Sequence, residues 1–247
     1  MPNSVSAALS FEQRPSPEDV AQKIAQQFAH ADAIFLAGSV MRGEGTPTSD
    51  LDMVIVTRHN DKAPYRESLI LDHWPIELFV HTPTSLEAFF QTDCQARTPS
   101  LPNMCHEGHL VTPENAFSQQ IRQRAAQLLQ AGPLPLSETT RLQYRYQLTD
   151  LLDDLNGCSS PVESEFIVGK LLTASIEAFL AHEQSWSGSG KWLWRALQRS
   201  HPQQAEQLAS ALQATAKTQA IAQWVTETVL PPLGGPLFAG YLLVAPR

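Results

Sequence analysis

The sequence predicts two unlike halves: an α/β domain with a mixed sheet and helices, then an α-helical bundle. Short apolar runs bounded by turn residues recur up to about residue 112, and from Glu114 onward the apolar period is helical. Runs of the first kind suit buried strands, whereas repeats at i, i+4 and i+8 mark one face of a helix. The sharpest break is Gly132-Pro133-Leu134-Pro135-Leu136-Ser137. Its prolines remove donors and restrict their neighbours, and Ser137 can cap the next helix. Residues 1–132 and 133–247 are therefore read as separate domains, and 247 residues at 43% hydrophobic can bury a core in each.

Taken in order, Ser16-Pro17-Glu18-Asp19 reads as an N-cap, a first-turn proline and two first-turn acids, opening a helix. Val20, Ala21, Ile24 and Phe28 give that helix an apolar stripe, which packs on a sheet built from strands near 33–37, 51–57 and 76–81. Thr82-Pro83-Thr84-Ser85-Leu86-Glu87 is a second capped start, with Leu86, Phe89 and Phe90 assigned to one face. A short strand is expected over 109–112, then a helix over 114–131 with Phe117, Ile121, Ala125 and Leu128 in line. Beyond the break, helices are expected over 137–156, 162–183, 190–199 and 203–230, the last of them broken, with Gly188-Ser189-Gly190 as a flexible elbow.

The most informative stretch is Gly38-Ser39-Val40-Met41-Arg42-Gly43, followed by Ser49-Asp50-Leu51-Asp52 at the head of an apolar strand. The two-residue pleat puts Asp50 and Asp52 on one face. Two such charges about 4 Å apart repel by roughly 4 kcal/mol at an effective dielectric of 20, so the pair calls for a cation or a proton. Carboxylate oxygens suit Mg²⁺, which completes its shell with substrate phosphates. Gly38 ends the preceding strand and lets the backbone turn and approach a phosphate, with Ser39 offering a hydroxyl and an N–H.

This ordered pattern, Gly-Ser, Arg-Gly and Ser-Asp-Leu-Asp followed by an acid on a later strand, resembles the DNA polymerase β-like nucleotidyltransferase superfamily. The size and the helical second half resemble its aminoglycoside-type small-molecule adenylyltransferases. The specific part covers residues 34 to 81. The resemblance implies that Glu77, in Pro75-Ile76-Glu77-Leu78-Phe79-Val80-His81, is the third carboxylate, as metal ligand or as general base. It implies a nucleotide site at Gly38, Ser39, Arg42 and Ser49, and Mg²⁺-dependent transfer of AMP from ATP to a hydroxyl or phosphate of a small-molecule acceptor, with pyrophosphate leaving.

In the helical half, Lys191 and Arg195 flank the elbow near Trp186, Trp192 and Trp194 and are candidates for the β- and γ-phosphates. The plain alternative is a solvated surface with core tryptophans, since positions i and i+2 cannot share one helix face. Arg42 can equally order its own loop. Cys94, Cys105, His106 and His109 lack the paired spacing of a zinc site. Arg195 and His201 match a ribonuclease-type Arg-x₅-His spacing that twelve arginines and eight histidines produce by accident.

A formal charge of −8 with only five lysines disfavours a gripped nucleic acid and favours a cationic acceptor. No apolar run reaches the roughly 18 residues of a membrane span. Met1-Pro2-Asn3-Ser4 does not open a leader, and three irregularly spaced cysteines read as reduced, so the chain reads as cytoplasmic. Two other functions fit the motif. One is a protein adenylyltransferase of a toxin–antitoxin-like system, with the helical half as the fused toxin. The other is a nucleotide sensor without turnover, for which three clustered like charges would be idle.

Overall fold

The computed structural model describes residues 11–58 and 60–243. The Met1–Ser4 stretch lies outside them. The chain divides into two compact units, residues 1–131 and 132–247.

The first unit is a five-stranded mixed sheet between helices. Helix α1 (Pro17–Gln27) starts as its sequence dictates, with Ser16 Oγ accepting from Asp19 N–H, and it buries Val20, Ala21 and Ile24. The strands are β1 (Ala33–Ala37), β2 (Leu51–Val56), β3 (Tyr65–Leu71), β4 (Trp74–His81) and β5 (His109–Leu110). Their order in the sheet is β3-β4-β2-β1-β5, with β2 and β4 parallel and every other pair antiparallel. Every residue of β1 is buried, because both faces of the central strands are covered. On one face Ile34, Leu36, Met53, Ile55, Ile76 and Leu78 meet Val20, Ala21 and Ile24 of α1. On the other, Ala33, Phe35, Val54 and Val56 meet three further helices: α2 (Pro83–Gln95), α3 (Ser100–Glu107) and α4 (Ala116–Ala131).

Several details differ from the sequence expectation. Strand β3 is an additional edge strand joined to β4 by a two-residue turn, Asp72–His73, in which both residues have positive φ. Helix α3 is also additional. In α2, Leu86 and Phe90 are buried but Phe89 is 46% exposed and sets its ring edge-on to His81. Phe89 and Phe90 are consecutive and so about 100° apart around the helix, and with Leu86 and Phe90 turned inward Phe89 is left at the margin of the buried face. Cys105 sits in the core of this unit rather than at a ligand position, and burial pushes its thiol pKa up.

The second unit is α-helical: α5 (Glu138–Gly157), α6 (Pro161–His182), α7 (Lys191–Ser200), α8 (Pro202–Gln213), α9 (Lys217–Trp224) and α10 (Leu230–Leu233). Ser137 and Ser160 cap α5 and α6 through their hydroxyls. The expected last helix is indeed broken, first between α8 and α9 and then by a π-helical turn, Val225–Val229, leading into α10. One apolar core joins these elements, centred on Leu148, Leu171, Leu180, Leu197, Leu208, Ile221 and Val229. Among the described residues no helix is long and apolar enough to cross a membrane.

Candidate active site

The parallel pairing of β2 and β4 places Asp52 directly beside Glu77 in register. Both side chains therefore project from the same face of adjacent strands, and Asp50, two residues before Asp52, joins them by the pleat. One carboxylate oxygen from each of Asp50, Asp52 and Glu77 lies within 4.8 Å of the others, the only such grouping of three potential metal ligands among the described residues. On the other side of Asp52 stands β1, with Ala37 as its register partner.

Beyond Ala37 the chain turns at Gly38, where φ is +88°. A Cβ there would lie 2.3 Å from Asp52 Oδ2. Glycine is thus required twice over, by backbone conformation and by the carboxylate packed against it. The loop beyond it is tied internally. Ser39 Oγ donates to Ser49 Oγ at 3.2 Å, and Ser49 Oγ also accepts from Thr46 N–H at 2.9 Å. Both serines are buried, so Ser49 holds the loop that delivers Asp50. Arg42 pairs with Glu107 of α3 and lies 3.6 Å from Glu44. These contacts tie the loop to α3, which is the ordering half of the two roles that the sequence offered Arg42.

Electrostatics single out Asp52. Burial, followed by the charges of Asp50 and Glu77, pushes its pKa up to about 6 against the opposing pull of Arg42 and Arg66. A half-buried carboxylate flanked by two others disfavours its own ionisation, and a divalent cation is the partner that reverses this. The donor set is all carboxylate oxygen, which fits Mg²⁺ or Mn²⁺. Arg66 on β3 forms an ion pair with Glu77 and lies over the ring of Phe79. Sequence reading missed both Arg66 and Glu107. Their signal is three-dimensional, since Arg66 belongs to a strand without an apolar pattern and Glu107 to an unanticipated short helix.

Lys191 and Arg195 belong to the second unit, on α7. Their charged groups lie 5.5 and 4.6 Å from the ring centroid of Trp192. Trp194 packs against the helical core.

The nucleotidyltransferase domain family matches residues 18–88, from α1 into α2 and including every carboxylate of the cluster. Among solved structures, a nucleotidyltransferase-like protein from Exiguobacterium sibiricum 255-15 is similar at 13% identity, over 85% of this chain and 73% of that one, with a TM-score of 0.43. That likeness is too loose to position a residue. No curated protein matches the chain. The three carboxylates on adjacent strands lie inside the matched domain, and the protein is a nucleotidyltransferase.

Proposed function

We propose that this nucleotidyltransferase is an adenylyltransferase that moves AMP from ATP to a hydroxyl or phosphate of a small, cationic acceptor, in the manner of the aminoglycoside-type enzymes it resembles. The observation that carries the reading is the three-carboxylate cluster on β2 and β4. Asp50 and Asp52 would hold Mg²⁺, with Glu77 as third ligand or as base. The bound metal supplies charge neutralisation and alignment of the triphosphate. Gly38, Ser39, Arg42 and Ser49 would form the nucleotide cradle. The close approach of the Gly38 turn to Asp52 supports placing the triphosphate beside it. Lys191 and Arg195 are proposed to supply positive charge for the β- and γ-phosphates. The net charge of −8 favours the approach of a cationic acceptor.

In the transfer itself the acceptor oxygen attacks the α-phosphorus in line and the bond to the bridging oxygen of pyrophosphate breaks; where the acceptor is a hydroxyl and Glu77 the base, the hydroxyl proton passes to Glu77. Glu77→Gln separates its two roles. As a base, it leaves MgATP affinity near wild type and lowers kcat by about 10²–10⁴. As a ligand, it raises the Mg²⁺ concentration needed for half-activity, and excess Mg²⁺ or Mn²⁺ restores the rate. We expect the first pattern, because the Asp50–Asp52 pair suffices for one metal. Full activity at ordinary Mg²⁺ would rule out both. The reading as a whole is tested by incubating the protein with labelled ATP, Mg²⁺ and a panel of metabolites and antibiotics, and following label transfer by mass spectrometry. Transfer to a small cationic hydroxyl compound is expected, and label found only on protein would contradict it.

A further inference from the structure

The loop before Asp50 and the strand before Glu77 are joined by a segment the reaction does not use. Arg14, just ahead of α1, donates from Nη2 to the carbonyl of Pro47 at 2.8 Å. Its guanidinium lies 4.8 Å from the ring centroid of Trp74 and 5.9 Å from that of Phe11. Its Nε and Nη1 atoms are buried and meet no hydrogen-bond partner among the described residues. Trp74, 2% exposed, opens β4 and donates from Nε1 to the carbonyl of Pro15 at 2.9 Å. The ring of Phe11 stands edge-on to it at 5.3 Å. The loop is packed against the same cluster, since a Cβ on Gly45 would lie 2.8 Å from Phe11 Cζ.

Pro47 precedes Asp50 by three residues, and Trp74 precedes Glu77 by three. A half-buried cation with two N–H groups unpaired among the described residues is costly, and cation–π contact offsets only part of that cost. What the arrangement achieves is a fixed separation between the two chain segments that present the carboxylates. We propose that Arg14 is a positioning residue, a latch that holds the Pro47 loop to the start of β4 and so sets the spacing of Asp50 against Glu77. The inference rests on the reading of Asp50, Asp52 and Glu77 as a divalent-metal site.

The test uses Mn²⁺ alone on the full chain, with bound metal counted from the free-ion electron spin resonance signal and the metal-free unfolding midpoint measured alongside. Arg14→Met keeps packing against Trp74 and Phe11 but loses the donor and the charge. It is expected to weaken Mn²⁺ binding about tenfold, as removal of an outer support does, with little change in the midpoint. Arg14→Lys, which keeps a cation over Trp74 and a donor toward Pro47, should recover most of that affinity. Wild-type affinity in Arg14→Met overturns the latch alone. So does an equal loss in the Met and Lys variants accompanied by a lowered midpoint, which marks simple packing. Should Arg14→Met fail to fold, Gly45→Ala displaces the loop from Phe11 with Arg14 intact and should weaken Mn²⁺ similarly; unchanged affinity there overturns the latch. Wild-type protein that binds Mn²⁺ no better than Asp52→Asn removes the metal-site reading itself, and the latch with it.

Discussion

Asp52→Asn is expected to abolish turnover and at the same time to stabilise the metal-free protein. The change is nearly isosteric and removes only ligand charge, so the fold persists while the cation site loses its central carboxylate. The stability gain comes from the raised pKa. Folded Asp52 titrates at about 6 against 3.8 for the unperturbed group, with burial as the main cause and Asp50 and Glu77 adding to it. Between these values the native state binds more protons than the unfolded chain, so metal-free stability falls as pH rises from 3.8 to 6 and is level above. A rise of that size corresponds to up to about 3 kcal/mol. Asparagine removes that penalty, so its gain should be fullest above pH 6 and vanish near pH 4. Denaturant unfolding at pH 4.0 and 7.5 in EDTA measures it. In Mg²⁺ the order reverses in part, because the wild type gains from the cation and the variant does not. Equal stability of the two proteins at pH 7.5 in EDTA, or wild-type turnover in the variant, would show that Asp52 is not the strained centre of the site.

Gly38→Ala should be strongly damaging to turnover. The new Cβ would sit 2.3 Å from Asp52 Oδ2 and 3.1 Å from its Cγ, and the backbone would hold an L-residue at φ +88°. The conformation alone costs about 1–2 kcal/mol. The clash must be relieved by moving the Asp52 carboxylate, and a displacement of about 1 Å at a reacting centre costs on the order of 10²-fold in rate. Gly43→Ala is the control. Gly43 has φ +72°, yet nothing lies within 4 Å of the position its methyl would take. It should lower the unfolding midpoint and leave Mg²⁺ dependence unchanged. If both alanine variants lose activity equally, backbone strain rather than the approach to Asp52 is what Gly38 serves.

The parts of the fold that were legible are those whose information is local. Strands β1, β2 and β4 announce themselves as apolar runs because both their faces are buried, and α1 because Ser16 and Pro17 are a complete start signal. Strand β3 is an edge, with Ile70 78% exposed and Arg66, Glu67 and Ser68 facing solvent, so it needs no apolar pattern. Its turn, Asp72–His73, adopts positive φ without the glycine that usually marks it. Helix α3 is short, lacks a side-chain cap and carries Pro102 in its first turn. In the site, the proximity of Asp50 to Asp52 comes from the pleat, but that of Glu77 depends on β2 and β4 being parallel neighbours. The pairs Arg66–Glu77, Arg42–Glu107 and Arg14–Pro47 join residues distant in sequence and leave no trace in a one-dimensional pattern.

The central claim is that the Asp50–Asp52–Glu77 cluster holds the cation that recruits a triphosphate, and titration calorimetry of the full chain with ATP, in Mg²⁺ and then in EDTA, tests it most directly. Without a cation the cluster repels the phosphate arm, each like-charge contact near 4 Å costing about 4 kcal/mol at an effective dielectric of 20. The expected result is binding in Mg²⁺ that is lost in EDTA. Equal affinity for ATP with and without divalent metal would contradict the account.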